Sequence, residues 1–274
     1  MSDLRLRARS VTEIVDAAFQ LYRRDALEYV LITAIAYAPL VLAQLVLMRG
    51  MLLSSRVSNA FGPVTLALSV IGFFAYALMS AALSRFSSDI YLDRGTGLSS
   101  VVRAVLPLVP RLVGATILYI LVVMLGFVPV FVGVAISSIP LIFIGMLLSF
   151  VWVFYALARF FAVYQTIVLE DRSIVAAFSR SSVLSENRKG HILLTLLLVI
   201  MIFGMLAFAV NLVASLFGSM SGIVVMQAMY TVVSYPLIGI TQMVLYYDTR
   251  IRAEGFDIEV MTGALGAPTT TATS

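Results

Sequence analysis

Two long runs without a charged residue constrain this chain more than any other feature of its sequence. One run extends from Leu112 to Ala158 and the other from Ile192 to Tyr247. A helix needs about 20 apolar residues to cross the hydrocarbon core of a bilayer, so each run is long enough for two crossings. Only 12% of the residues are charged, against about 25% in an average soluble domain. The sequence therefore predicts a polytopic, all-α integral membrane protein.

Six membrane-spanning helices are predicted from the apolar segments. Their ranges are Tyr29–Met48, Gly62–Ser84, Leu112–Ile136, Leu141–Thr166, Ile192–Phe217 and Gly222–Tyr247. Pro39, Pro129 and Pro236 fall inside the first, third and sixth of these helices. Proline can kink a helix, and kinked helices line binding sites in many transporters. Because proline is also commoner in membrane helices than in soluble ones, we favour the purely structural interpretation.

The basic residues indicate how the chain is oriented in the membrane. Sixteen of the 18 Lys and Arg residues lie before the first helix, after the sixth, or in the loops that follow the second and fourth. The other side carries only Arg49 and Arg56. Cytoplasmic loops carry the excess of Lys and Arg, so both termini are predicted to be cytoplasmic. The preference for Arg over Lys suggests a GC-rich bacterial genome, and the predicted location is a bacterial plasma (inner) membrane.

Composition also argues against several functions. The chain has no cysteine and one histidine, His191, which excludes disulfides, thiolate sites and multi-histidine metal sites within one chain. It has no HExxH motif, no phosphate-binding Gly-rich loop and no Ser-His-Asp set. We therefore expect no enzyme activity, no metal and no cofactor. The net charge is +4, but the Arg residues stand in short islands between apolar runs, so we expect no nucleic-acid partner.

Three polar islands resemble one another. They read SVTEIVDAAFQLYRRD (10–25), GLSSVVRAVLPLVPRL (97–112) and DRSIVAAFSRSSVLSENRKG (171–190). Each continues from Ser through small and apolar residues to Arg or Lys just before a membrane helix. We interpret them as an internal repeat of an amphipathic helix followed by a membrane hairpin, with units at about 10–94, 97–172 and 173–258. Chance resemblance among apolar sequences is the alternative.

The first and third islands have helix signals. Ser10 and Glu13 match a Ser-x-x-Glu capping box. The apolar stripes at helical spacing are Ile14, Ala18, Leu21 and Tyr22 in the first island, and Ile174, Ala177, Phe178 and Leu184 in the third. Such helices either lie in the membrane interface with Arg toward anionic headgroups or pack under the membrane helices as a cytoplasmic collar. In the second island, prolines restrict the predicted helix to about Ser99–Leu106.

Four arginines are candidates for contacts with lipid phosphate or with a partner protein. Arg85 and Arg159 occupy equivalent places at the ends of the second and fourth helices. They either snorkel to the headgroups or face inward and pair with phosphate or with a carboxylate such as Asp89 or Glu170. Arg250 and Arg252 follow the sixth helix.

Polar residues are sparse within the predicted membrane helices. Asn211 and Gln227 are candidates for intramembrane polar contacts, and we prefer an interhelical hydrogen bond between such residues to a ligand site. No Asp, Glu or Lys lies at mid-membrane. Ion-coupled transporters usually need such groups, so the sequence argues against an ion-driven transporter.

The segment LYYDTRIRAEGFDIEVM (245–261) has a clear physical interpretation. Its two tyrosines suit an aromatic belt. Asp248 with Arg252, and Arg250 with Glu254, have the i, i+4 spacing of helical ion pairs. Gly255 suits the left-handed residue that ends a helix, with Phe256 packing back onto it. The segment is either only a stop for the sixth helix or also a docking edge for a cytoplasmic partner.

This segment, with RSVTEIVDAAFQLYRRD and LEDRSIVAAFSRSSVL, resembles the membrane-domain family named after glycerophosphoryl diester phosphodiesterase. The resemblance covers about residues 8–260. It implies a six-helix bacterial membrane protein without established activity of its own. In some relatives a soluble phosphodiesterase domain does the chemistry, and these 274 residues contain no counterpart of that domain.

The sequence thus predicts a six-helix membrane domain over residues 1–262 and a disordered tail over 263–274. The leading functional hypothesis is a non-enzymatic membrane scaffold or accessory protein, with membrane lipids and a protein as partners. The alternative is a transporter or binder of lipids or amphiphilic small molecules. Polar groups that converge on one cavity favour the alternative, whereas a tightly packed bundle favours the scaffold.

Overall fold

The structure, a computed structural model, describes residues 7–53, 57–92, 97–216 and 220–256. Within these ranges every regular element is helical and no strand occurs, so the predicted all-α class is confirmed. The helices are α1 (Val11–Arg24), α2 (Ala26–Leu53), α3 (Val57–Tyr91), α4 (Leu98–Val105), α5 (Val109–Leu125), α6 (Val128–Ala135), α7 (Ile139–Arg159), α8 (Val163–Glu170), α9 (Ile174–Leu184), α10 (Lys189–Ser215) and α11 (Met220–Glu254). The predicted disordered tail, 263–274, lies outside the described residues.

Six stretches of the described chain are long and apolar enough to cross a membrane, as predicted. They are Ala26–Leu47, Gly62–Tyr91, Leu98–Leu125, Ile139–Glu170, Lys189–Ser215 and Gly222–Glu254. The third differs most from its predicted range, because α4, a 3-10 turn and α5 follow one another without a loop. Pro107 and Pro110 stand in the first turns of the 3-10 turn and of α5. Proline is tolerated there because its missing N–H has no helical partner to lose.

The predicted third helix was wrong in continuing to Ile136. Helix α5 ends at Leu125, and α6 starts again at Val128 with Pro129 in its first turn rather than inside a long helix. At the break, Gly126 lies against Trp152, where a Cβ atom would come within 2.1 Å of the indole ring. Pro39 and Pro236 do lie inside α2 and α11, as predicted.

Helices α6 and α7 form a closely packed hairpin that depends on two glycines. A Cβ atom on Gly133 would stand 2.8 Å from the backbone nitrogen of Ile142. A Cβ atom on Gly145 would stand 2.7 Å from the backbone nitrogen of Val130. Small residues that let backbones approach are the usual basis of helix association in lipid, where apolar side chains gain little from leaving hydrocarbon.

Helices α3 and α11 form the centre of the bundle. Helix α11 packs on α1, α2, α3 and α10, and α3 also packs on α4, α5 and α8. Burial along α11 is uneven: Ile240, Met243 and Leu245 are completely buried, whereas Met229 and Val233 are more than half exposed. The core therefore lies toward the end of the bundle where α11 finishes.

Two short helices, α4 and α9, pack at that same end, which we call the collar face. Helix α1 starts there, where Arg9 bonds to Asp248, and continues along α11 until the Tyr22 hydroxyl reaches the carbonyl of Val233. The predicted capping box of α1 is confirmed, since Ser10 and Glu13 bond to each other's backbone N–H groups. Hydrogen bonds from Arg7 and Ser10 lower the pKa of Glu13 to about 2. Ile14 and Leu21 are fully buried, and α1 packs on α10 and α11. The apolar stripe of α1 thus contacts protein. The repeat and its unit boundaries stay a prediction.

Candidate functional site: a central cavity with a polar floor

A break in the fourth membrane span shapes the candidate site. The span predicted as one helix over 141–166 is present as the stretch Ile139–Glu170, but it is divided in two, since α7 ends at Arg159 and α8 starts at Val163. Ser181 of α9, which is completely buried, supplies the missing backbone partners. Its hydroxyl donates to the carbonyl of Arg159 at 3.0 Å and accepts from the N–H of Ala162 at 3.1 Å. A buried helix break is stable only where such partners satisfy the backbone groups that it frees.

The break turns aromatic side chains toward a cavity of about 500 Å³ between α3, α5, α7, α8, α10 and α11. We call it the central cavity. Its lining includes Tyr76, Tyr119, Phe160, Phe161, Tyr164 and Gln242. Small-molecule sites in proteins are typically 300–1,000 Å³, mostly apolar, with a few placed polar groups. The central cavity has the size and the composition of such a site.

A hydrogen-bond network forms the polar floor of the central cavity. Gln242 donates from Nε2 to the hydroxyl of Tyr76 at 3.0 Å, and its Oε1 accepts from Ser80 Oγ at 3.3 Å. Gln165 Nε2 lies 3.5 Å from the same Oε1 atom, and Gln165 is completely buried. These contacts hold the Gln242 amide at the cavity, while Oε1 of Gln165 is buried without a hydrogen-bond partner among the described residues.

Tyr164 adds a second phenol hydroxyl to the central cavity. The Tyr164 hydroxyl lies 3.2 Å from Thr116 Oγ1, and the Tyr76 and Tyr164 rings meet edge to face with centroids 6.1 Å apart. No charged side chain of the described chain lines the central cavity. The cavity can therefore hydrogen-bond a hydroxyl or carbonyl group on an apolar molecule, but it offers no compensation for a charged group.

The four candidate arginines have different surroundings. Arg85 pairs with Asp89, with Nε 3.2 Å from Oδ2. Arg159 does not pair with Glu170: it donates to the hydroxyl of Tyr155 at 2.8 Å. Glu170 pairs instead with Arg172 and with Arg180 of α9.

Arg250 and Arg252 form the predicted i, i+4 pairs. Arg250 Nε lies 3.2 Å from Glu254, and Arg252 Nε lies 2.9 Å from Asp248. Gly255 has φ 67°, and Phe256 stacks on Tyr247, so the predicted helix end is confirmed. The proposed contacts of the four arginines with lipid phosphate or a partner stay predictions.

The paired tyrosines of the C-terminal segment do not form an aromatic belt. Tyr246 and Tyr247 are buried between helices. Tyr246 donates to Glu170 Oε1 at 2.7 Å, and the Tyr247 hydroxyl lies 2.7 Å from Ser88 Oγ. Both tyrosines are buried, rather than at the membrane surface as predicted, because α11 is central and even its collar-face end is surrounded by other helices.

Asn211 and Gln227 contact each other outside the central cavity. Gln227 donates from Nε2 to Asn211 Oδ1 at 2.6 Å, and Asn211 donates to the carbonyl of Ala207 at 2.8 Å. This is the interhelical hydrogen bond, between α10 and α11, that we preferred from the sequence. Such a bond satisfies amide groups that would otherwise face hydrocarbon.

Sequence reasoning missed most of the site. Gln242 carried a weak signal, as one of few amides within the apolar runs, and Tyr76 and Tyr164 stood out only as tyrosines inside predicted helices. Nothing in the local sequence indicated that Ser181 would bond across a helix break. Among the described residues, no group of three or more His, Asp or Glu side chains could hold a metal ion.

Comparison with protein-family models, curated proteins and solved structures finds no match. The resemblance to the glycerophosphoryl diester phosphodiesterase membrane-domain family therefore stays a prediction, carried by the sequence segments alone.

Proposed function

We propose that this protein binds a neutral amphiphile within the bilayer, as a non-enzymatic binder or transporter. The observation that carries the proposal is the convergence of Tyr76, Tyr164 and Gln242, from three different helices, on one cavity of about 500 Å³. Of the two hypotheses drawn from the sequence, converging polar groups favour this one over the scaffold.

The chemistry of the cavity defines the class of ligand. Its aromatic walls suit a hydrocarbon chain or ring, and its amide and phenol groups suit one or two neutral hydrogen-bonding groups. An ionised headgroup would have to leave water without a countercharge, at a cost of several kcal/mol or more. The proposed ligand therefore carries a hydroxyl, ester or quinone-like carbonyl group on an apolar body.

We further propose a bacterial plasma-membrane location with both termini in the cytoplasm. The asymmetry of Lys and Arg supports this orientation. The contacts of Arg9, just before α1, and of Arg180 in α9 with the final turns of α11 are consistent with it, because they bring three basic segments to one end of the bundle.

The test uses the full chain, purified in detergent, and a photoreactive long-chain alcohol as probe. Gln242→Leu keeps the volume and removes the amide, and we expect labelling affinity to fall about threefold to tenfold, the equivalent of one neutral hydrogen bond. Leu157→Trp, which fills part of the cavity, should abolish labelling of cavity residues. Labelled sites are located by peptide mass spectrometry.

Gln227→Leu is the matched control, because it removes an amide from the same helix outside the central cavity. Equal labelling of Gln242→Leu and Gln227→Leu, or equal use of a charged fatty-acid probe, would contradict the proposal. A protein that copurifies in fixed stoichiometry while the cavity stays unlabelled would favour the scaffold hypothesis.

A further inference from the structure

A second apolar depression lies on the outer surface of the bundle, away from the central cavity. This side groove, about 520 Å³ in volume, is bounded by α5, the α5–α6 break and α7. Along α7 it extends from Tyr155 to Leu148, seven residues or about 10 Å at 1.5 Å per residue. Val151 and Leu148 are more than half exposed within it. The groove has the shape of a site for part of a hydrocarbon chain.

Two cations lie near Tyr155, the residue that ends the side groove toward the collar face. The Arg159 guanidinium lies 5.7 Å from the centroid of the Tyr155 ring, and the Lys189 ammonium lies 6.0 Å from the same centroid. They come from different helices, since Arg159 ends α7 and Lys189 begins α10. Lys189 also stands at the positive end of the α10 helix dipole.

Neither cation has a carboxylate within 4.0 Å among the described residues. Other arginines of the described chain do have such partners, whereas the exposed Arg23 and Arg103 have none among the described residues. The paired arginines include Arg85, Arg111, Arg172, Arg180, Arg250 and Arg252. Snorkelling explains why a single basic residue lies at a membrane boundary, but it does not explain why two from separate helices converge on one ring at the mouth of a groove.

We propose that this is a binding site for one anionic phospholipid. The phosphate lies between Arg159 and Lys189, and one acyl chain follows the side groove along α7. Charge complementarity identifies the headgroup as anionic, because a zwitterionic lipid would bring its own cation to a position that already holds two. The apolar groove distinguishes a lipid from free phosphate. The site is independent of the central cavity and of the function proposed for it.

The test measures phosphatidylglycerol retained by the purified full chain in native mass spectrometry, at fixed ratios to phosphatidylcholine. A basic residue near an anionic lipid surface contributes about 1 kcal/mol, or about fivefold in affinity. Arg159→Gln and Lys189→Gln should each lower phosphatidylglycerol affinity about fivefold. Val151→Trp fills the groove without changing any charge, and it should also release the lipid.

The matched control is the double variant Arg23→Gln/Arg103→Gln, which removes two exposed cations, from α1 and α4, that do not border the side groove. It should leave retention unchanged. An equal loss in this control would reduce the effect to general attraction and overturn the proposal. Undiminished retention by Val151→Trp would overturn it too, as would displacement of the lipid by inorganic phosphate, which would assign the cations to a free anion.

Discussion

At the scale of single residues, the Asp248 carboxylate is a buried acceptor shared by three segments of the chain. Its side chain is completely buried, and it accepts hydrogen bonds from the backbone N–H of Arg9 at 2.6 Å and from Arg252 at 2.9 Å. His191 Nε2 lies 3.2 Å from the same carboxylate. One carboxylate therefore joins the segment before α1, the first turn of α10 and the end of α11.

Asp248→Ala should destabilise the protein by roughly 2–3 kcal/mol, because it leaves buried donors without an acceptor. The loss should be local as well as global: the amide of Arg9 should exchange with solvent much faster. Hydrogen exchange with mass spectrometry and an unfolding titration in mixed micelles check both effects. Asp16→Ala, which removes an exposed aspartate of α1, is the control, and equal effects of the two variants would contradict this role for Asp248.

At the scale of elements, the α6–α7 hairpin depends on two glycines that allow the helix backbones to approach closely. The backbones of Gly133 and Gly145 lie so near the opposite helix that a methyl group on either would meet backbone atoms. Backbone atoms cannot move aside as the end of a flexible side chain can. The hairpin therefore tolerates no added Cβ atom at these places without separation of the helices.

Gly145→Ala should cost about 1–3 kcal/mol, the usual penalty for overpacking a filled interface. Gly204→Ala is the matched control, since Gly204 also lies inside a membrane helix but has open space around it. That change should be neutral or stabilise by up to about 1 kcal/mol, because alanine has the higher helix propensity. Unfolding midpoints of the two variants, measured in the same detergent, check the difference; equal midpoints would contradict the packing account.

At the scale of the whole molecule, Arg180 connects parts of the chain that are far apart in sequence. Its guanidinium bonds to Glu170 at the end of α8, with Nε 2.9 Å from Oε2, and to both carboxylate oxygens of Glu254 at the end of α11. The Glu254 carboxylate raises the pKa of Arg180 above its ordinary value, so the guanidinium stays charged. Arg180 thereby fixes helix α9 to two membrane spans. The residue after Arg180, Ser181, bonds to the backbone on both sides of the helix break that shapes the central cavity.

A double-mutant cycle should detect this connection. Arg180→Gln and Glu254→Gln should each destabilise the protein. The double variant should lose less unfolding free energy than the sum of the two single losses, by roughly 1–2 kcal/mol, as for other contacting charged pairs. The same variants should also lower labelling of the central cavity, because they release α9. Strict additivity of the two changes in unfolding free energy would show that the pair does not couple α9 to α11.

Local features of the sequence were enough for the fold class, the six spans, the capping box at Ser10 and the ion pairs around Arg252. Each depends on hydropathy or on residues at most four positions apart, so none depends on which helices become neighbours. The breaks at Gly126 and at 160–162, the burial of Tyr246 and Tyr247, and the convergence on Gln242 were not predictable in this way. They depend on which helices become neighbours, since a break or a buried polar group survives in a membrane only where a distant residue such as Ser181 completes its hydrogen bonds. The apolar sequence determined that the chain enters the membrane, and the tertiary structure alone decided where that membrane domain forms a largely apolar cavity with a polar floor.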